Sequence, residues 1–449
     1  MNVKDIIEVE IEDNGMDGEG VARAEGKVVF IPYTLKGEKV RAAVKSVKAR
    51  YCNASAIKIL SPSPFRVQPE CPHYFRCGGC DTMHISDDFR CEMLISDLKN
   101  NLKKIAGLND VYCEFVPCEE KNCVRNKVAM PFGTAEGKTV VGLYRHGTHL
   151  LEAVDCKMLG PIGKSAVKTV VDFANEKKLS TYIEKSGKGL LRHLVIREIG
   201  GRASVTLVIN GEGIGASQER ELSARLGDNV DFFISSNTAR NNVIMGKTAR
   251  LISGNATLSV NVLGVKAELS PLSFFQVNDK VRDMLYCAAL KNVKAHTLID
   301  LYSGIGITSN LAAKTCAKVY AVECVPEAVT DADRTAELNG NTDKIKNICG
   351  EAETVLPFLT EKISGGVDIL VDPPRKGCGA AVMRAVVAAK PSSVIYISCN
   401  HATMCRDIAP LISGEYGAEY SIDTVKLFDM FPHTHHSETL VVLKNNALR

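Results

Sequence analysis

Thr297-Leu298-Ile299-Asp300-Leu301-Tyr302-Ser303-Gly304-Ile305-Gly306 is an apolar run that reaches an acid and opens into a glycine turn. The run predicts a short buried strand at Thr297 to Asp300. The two glycines allow a tight turn and close approach of backbone to a ligand, and the turn opens a helix from Ile307 to Lys314. The same cadence recurs downstream. Val319 to Val322 leads to Glu323, and Pro326 starts a helix; Val367 to Val371 leads to Asp372; Val394 to Ile397 stops just short of Cys399. A helix near Val281 to Ala289 precedes the series. Strands alternating with helices predict an α/β fold with a doubly wound sheet, in which ligands sit beyond the carboxyl ends of the strands. Asp300, Glu323, Asp372 and Cys399 all fall at such ends, so one cleft can hold all four.

The residue types at those ends suggest a chemistry. Gly304-x-Gly306 followed about twenty residues later by Glu323 fits a nucleoside ligand, the acid bonding ribose hydroxyls. Two glycines instead of the full dinucleotide fingerprint favour S-adenosylmethionine over a pyrophosphate cofactor. Asp372-Pro373-Pro374-Arg375 predicts a stiff loop, since each proline ring fixes φ and removes a donor, and such a loop can hold a carboxylate against a flat base. Ser398-Cys399-Asn400 offers a thiol. A helix beginning near Ala402 to Thr403 would set its amino end by the sulfur and lower the thiol pKa. Glu438 offers a base. Its neighbours His433, His435 and His436 are read as structural or substrate-orienting, because no carboxylate at helical spacing completes a zinc site. Thiol, carboxylate and nucleoside loop together suit addition to carbon 6 of a pyrimidine. That addition makes carbon 5 nucleophilic towards a methyl donor, and a base then removes the carbon-5 proton.

Size and composition bound the rest. The chain has 449 residues, enough for two or three domains, with 45% apolar and 24% charged residues, as in soluble globular proteins. Net charge is only +3, but Lys36, Lys39, Arg41, Lys45, Lys48, Arg50 and Lys58 cluster with Glu38 as their one acid, which predicts a solvated cationic β surface. No charged head with an apolar core opens the chain and no apolar run is long enough to span a bilayer, so a cytoplasmic protein is expected. Residues up to about 60 read as five short strands, a small barrel of the oligonucleotide-binding sort, ended by Ser61-Pro62-Ser63-Pro64. A helix from Phe89 to Ile105 follows. Between about 110 and 270 the pattern is mostly strand, with one helix from Gly163 to Asn175. Sixteen cysteines in such a chain predict free thiols and a metal site in place of disulfides. Cys71-x5-Cys77-x2-Cys80, bent by Gly78-Gly79, supplies three soft ligands. Cys156 is the best fourth, against Cys91, Cys113, Cys118 and Cys123, and spacing alone leaves zinc and an iron–sulfur cluster both open.

These motifs together resemble the RNA uracil-5-methyltransferases, in particular the TRAM-domain, iron–sulfur branch acting on 23S ribosomal RNA. The resemblance covers nearly the whole chain. It implies a TRAM (OB-like) barrel over 1–62, a mostly β central domain with the iron–sulfur segment over 63–275, and a Rossmann-like methyltransferase domain over 276–449. It implies a [4Fe–4S] cluster on Cys71, Cys77, Cys80 and Cys156. It implies S-adenosyl-L-methionine held by Gln276, Tyr302, Gly304, Glu323 and Asp372, with Cys399 as nucleophile and Glu438 as proton acceptor. Arg125, Lys127, Arg192 and His193 are candidate RNA contacts, and a monomer is expected. The family branch acting on transfer RNA is expected to lack both barrel and cluster, which favours ribosomal RNA. Two departures stand out: His401 replaces the proline that usually follows Ser-Cys-Asn, predicting a freer loop, and Ser303 stands where cysteine is frequent. The rival readings are a transfer-RNA uracil-5-methyltransferase, an RNA amino-group methyltransferase that needs no thiol, and an iron–sulfur RNA-binding sensor without methyl transfer.

Overall fold

The computed structural model describes residues 1–15, 17–145, 148, 151–153, 155–361, 363 and 365–448. They fall into two compact units. The first comprises Met1–Asn100, Leu143–Val154 and Phe431–Ser437; the second comprises Asn101–Gly142, Asp155–Met430 and Glu438–Arg449.

The first unit is built on a sheet of Ile6–Glu10, Lys39–Val47, Tyr51–Ser61, Lys27–Ile31, Gly20–Ala24 and Asp13–Asn14, in that order. The five expected strands are there, and the two-residue Asp13–Asn14 adds a sixth. It pairs with Gly20–Ala24 because Gly15 N–H bonds Glu19 O at 2.7 Å and folds the segment back. Side chains alternate along Lys39–Val47. Val40, Ala42 and Val44 enter a core with Val9, Ile11, Ala22, Val29, Ile31, Cys52 and Ala54, while Lys39, Arg41 and Lys45 face solvent. Lys36, Lys48, Arg50 and Lys58 are also exposed, so the cationic surface forms as expected. Glu38 departs from it. Its carboxylate is fully buried, takes a bidentate pair from Arg66 at 2.5 and 2.8 Å, and accepts the Leu35 and Ser63 N–H groups at 2.9 and 3.2 Å. A buried charge persists only when paired and hydrogen-bonded in this way.

In the second unit, Lys127–Ala135, Leu191–Ile199, Arg202–Ile209, Val230–Ser236 and Arg250–Ser253 lie side by side in a mixed sheet. The helix expected at Gly163 to Asn175 spans Pro161–Glu176. A second helix, Ala216–Leu226, was not expected. It buries only Glu219 and Leu222, too few apolar positions to make a visible stripe, and is held by ion pairs such as Arg250–Glu219 at 2.9 Å.

The alternating part of the chain forms one sheet in the order Ile345–Cys349, Lys318–Glu323, Thr297–Leu301, Val367–Val371, Ser393–Ser398, Glu438–Asn445, Tyr420–Phe428 and Glu114–Val116. The first five strands are parallel; Glu438–Asn445 runs antiparallel between Ser393–Ser398 and Tyr420–Phe428. Val367–Val371 and Ser393–Ser398 are buried throughout, as expected of strands covered on both faces. The strand order reverses between Thr297–Leu301 and Val367–Val371, and a crevice opens at such a switch point. Register pairs Leu301 with both Val322 and Val371, and Ser398 with Thr439. Tyr302, Glu323, Asp372, Cys399 and Glu438 are thereby brought to one edge of the sheet.

Candidate active site

The glycine turn is built by backbone. Tyr302 has φ 63° and Gly304 φ 54°, and the N–H groups of Tyr302 and Ser303 bond Val322 O at 2.9 and 3.2 Å. Gly306, at φ 78°, begins helix Ile307–Ala312, and a Cβ there would come within 3.2 Å of the Ala332 Cβ. Nothing lies within 4 Å of where a Gly304 Cβ would sit, so space is open above the turn. Asp300 is buried behind it and accepts the Thr308 and Ser309 hydroxyls at 2.7 and 2.5 Å, tying strand to helix. Burial pushes its carboxyl up to about 6. Glu323 accepts Gly304 N–H at 3.1 Å and Val325 N–H at 2.9 Å, one on each oxygen. Each oxygen keeps a lone pair for another donor. Gln276 is buried just before helix Asp279–Leu290, where Asn126 Nδ2 bonds its carbonyl at 2.9 Å.

The proline loop is held by a residue that no motif singled out. Asp407, on helix His401–Ile412, accepts Cys378 N–H and Tyr396 O–H, both at 2.7 Å. Arg406 binds its other oxygen at 2.7 and 3.0 Å and reaches Lys376 O at 2.9 Å. Gly377, at φ 77°, passes so close to Asp407 and Arg406 that a Cβ would collide with both. Asp407 lies 29 residues from Cys378 in sequence, and no local spacing announces a long-range bond of this kind.

Cys399 is half-buried, and burial pushes its thiol up to about 11. The Glu438 and Asp372 carboxyls raise it further, while Arg375 lowers it by charge and a hydrogen bond. The expected activation by a helix amino end is therefore overturned. Asn400 caps the helix, its Oδ1 accepting Ala402 and Thr403 N–H at 3.1 and 3.2 Å, so those donors are already engaged. The same cap answers the freer loop expected from His401, which is the buried first residue of that helix. Glu438 is buried, and desolvation raises its carboxyl well above the usual range, with Asp372 adding to the rise and Arg375 opposing it. Asp372 is pushed up to about 7 by burial and then by Asp300. Three acids thus share a poorly hydrated corner with one nearby guanidinium, an arrangement that favours a cationic ligand.

Other expectations fare differently. Arg192 is buried, bonds Asn237 O and Ala239 O at 2.5 and 2.8 Å and stacks 4.5 Å from the Tyr182 ring, so it is a structural clamp and not a surface phosphate contact. Burial lowers His193 to about 4 and Lys127 to about 8, which also disfavours phosphate binding there. His435 Nδ1 pairs with Asp81 Oδ2 at 2.6 Å and its ring lies 3.9 Å from that of His436. Cys71, Cys77, Cys80 and Cys156 are half-buried, and Gly79 N–H points at Cys77 Sγ at 3.4 Å. Among the described residues, however, no group of three or more His, Cys, Asp or Glu side chains is placed to hold a metal ion. Cys113, Cys118 and Cys123 direct their thiols at carbonyls of Val111, Glu120 and Leu159. Among the described residues no helix is long and apolar enough to cross a membrane.

Comparison with known proteins places this site in a lineage. Residues 255–446 match the tRNA (uracil-5-)-methyltransferase family model and residues 2–57 the TRAM domain. An RNA methyltransferase of Caldanaerobacter subterraneus subsp. tengcongensis is 35% identical over 445 residues, 97% of each chain. One from Halalkalibacterium halodurans is 33% identical over 455 residues, 99% of this chain and 98% of that one. Among solved structures, the Pyrococcus abyssi tRNA (uracil-54, C5)-methyltransferase in complex with S-adenosyl-L-homocysteine superposes with TM-score 0.78 at 25% identity, covering 97% of this chain and 99% of its own. Matching motifs, sheet order and full-length relatives converge: the chain belongs to the TRAM-domain family of RNA uracil-5-methyltransferases.

Proposed function

We propose that this protein methylates carbon 5 of a uridine in 23S ribosomal RNA through a transient thioether between Cys399 and carbon 6 of the base. The observation that carries the reading is the proximity of Glu438, Asp372 and Arg375 to Cys399 at the carboxyl edge of the sheet, where all three act on the thiol and Asp372 and Arg375 also act on Glu438. S-adenosylmethionine, when bound, supplies a methyl group on a positively charged sulfonium. The acid-rich corner and the open space over Gly304 suit such a ligand. Glu323 would take the ribose hydroxyls, with Gln276, Tyr302 and Asp372 lining the rest of the site. The target uridine leaves its stack, since the ring faces are otherwise covered. Cys399 gives up its proton to solvent and its sulfur bonds carbon 6, sending the ring electrons to carbon 5, which would take the methyl group and leave S-adenosylhomocysteine. Glu438, once its own proton has gone to solvent, then removes the carbon-5 proton as a carboxylate, the double bond re-forms, and the thiolate leaves. Replacing Cys399 with Ala is expected to abolish both methylation and the covalent complex with RNA carrying 5-fluorouridine. A Cys399→Ala variant methylating at the wild-type rate would end this reading, and efficient methylation without any trapped adduct in the wild type would favour amino-group transfer.

A transfer-RNA substrate is the second reading, favoured by one specific finding. The Pyrococcus abyssi enzyme is named for tRNA yet aligns over 97% of this chain, barrel region included. A barrel therefore does not exclude tRNA, and its presence does not favour ribosomal RNA. Mapping 5-methyluridine in ribosomal and transfer RNA from cells lacking the protein decides between them: loss from 23S RNA alone supports the first, loss from tRNA the second. The functional division into 1–62, 63–275 and 276–449 belongs to the same proposal. So does the [4Fe–4S] cluster, supported by three cysteines within ten residues and by the amide aimed at Cys77. Protein purified without oxygen is expected to carry about four irons per chain by chemical analysis, falling when Cys77 is replaced by Ser. Iron-free, fully folded and active protein would remove the cluster from the proposal.

A further inference from the structure

Within the first unit, a groove of about 570 Å³ lies against strand Tyr51–Ser61 and the cysteine loop. Its described lining includes Lys58, Arg66, Arg76 and Arg145 and no carboxylate. Two acids stand behind these cations. Glu38 neutralises Arg66 in the buried pair already described, and Glu152 is shared by Arg76 at 3.2 Å and Arg145 at 2.9 Å. Four cations against two anions leave the groove two charges positive.

An aromatic ring stands in this positive field. Phe75 is 53% exposed, although its ring is held edge-on by Tyr74 at 5.0 Å and Tyr33 at 5.7 Å. Ile57, also on the lining, is 54% exposed. The cysteine loop that carries Phe75 is itself tied down, with Cys77 N–H on His73 O at 2.7 Å and Gly78 N–H on Tyr144 O at 3.0 Å. A rigid ring open to solvent has little ordering entropy left to lose on stacking. Such a ring beside cations is the pattern of single-stranded nucleic-acid sites, where each base stacked on an aromatic contributes about 1–3 kcal/mol. A duplex offers no unstacked base to such a ring.

We propose that this groove is a single-stranded RNA subsite, in which an unpaired base stacks on Phe75 and the flanking phosphates pair with Arg145, Arg76 and Lys58. The proposal rests on the reading of this chain as an enzyme acting on RNA, and it assigns that RNA a docking point in the first unit.

The test is fluorescence anisotropy with the full-length protein and a labelled twelve-nucleotide oligouridylate, free or paired to its complement, without methyl donor. Phe75→Ala is expected to weaken binding of the single strand roughly five- to a hundredfold, Phe75→Tyr to stay close to wild type, and the duplex to be indifferent to both. Arg145→Ala is expected to reduce the slope of log affinity against log salt by about 0.7, one single-strand phosphate contact. Wild-type affinity in Phe75→Ala, equal losses for single strand and duplex, or an unchanged salt slope in Arg145→Ala would each overturn the subsite. Covalent trapping on 5-fluorouridine RNA is read separately. An adduct with normal Phe75→Ala binding sinks only the groove, whereas weakened Phe75→Ala binding without an adduct sinks only the chemistry.

Discussion

At the scale of single residues, burial favours the protonated forms of the reacting groups. The Cys399 thiol sits at about 11 and the Glu438 carboxyl well above its usual range, so free enzyme at neutral pH has little thiolate. Since kcat/KM reports ionisations of the free enzyme, it should rise about tenfold per pH unit between pH 7 and 9 if thiolate is the attacking form. Arg375 opposes the rise at both groups. Arg375→Gln is accordingly expected to lower kcat/KM at pH 7.5 by roughly tenfold, and to recover part of that loss at higher pH. This follows from one pKa unit being a tenfold change in the thiolate population. Rates measured from pH 6.5 to 9.5 check both statements; a flat wild-type profile would assign activation to something other than thiol ionisation.

At the scale of elements, the proline loop and helix His401–Ile412 act as one piece because Asp407 bonds the first from the second. Asp372 begins that loop and Cys399 precedes that helix, so their relative position depends on a carboxylate that touches neither. Asp407→Asn keeps the shape but weakens acceptance of the Cys378 N–H and Tyr396 O–H, which are charge-assisted bonds of about 1.5–3 kcal/mol. The expected outcome is a rise in KM for S-adenosylmethionine of roughly tenfold or more with a smaller fall in kcat, measured by steady-state methyl transfer. A loss confined to thermal stability, with both constants unchanged, would make Asp407 a packing residue only.

At the scale of the whole molecule, the buried acids set stability against function. Asp300 and Asp372 titrate at about 6 and about 7 in the folded protein, against 3.8 when unperturbed. Between those values the folded state binds more protons than the unfolded state, so unfolding free energy falls as pH rises from about 4 to 7. For the fully buried Asp300 the shift corresponds to roughly 3 kcal/mol. Asp372→Asn removes one of these titrations. Its melting temperature is expected to exceed that of wild type at pH 8 and to converge with it near pH 4, as read by differential scanning calorimetry. The opposite sign would mean that Asp372 finds a compensating partner in the folded chain.

Much of this protein was legible in residue order, because periodicity and strand-end chemistry are local. The apolar runs ending at Asp300, Glu323, Asp372 and Cys399 predicted the doubly wound sheet, and five short strands up to about residue 60 predicted the small barrel. Helix Ala216–Leu226 was hidden by its short apolar stripe, and strand Glu438–Asn445 was missed because antiparallel insertion beside Ser393–Ser398 is a matter of topology. Only the tertiary structure decided electrostatics: that Asn400 takes the helix amides, that burial raises the Cys399 thiol and the Glu438 carboxyl, that Arg192 turns inward and that Glu38 pairs with Arg66. Sequence on its own named the reacting groups, since chemistry resides in residue type. Solvation and long-range partners decide their charge state, and those exist only once distant segments have been folded against one another.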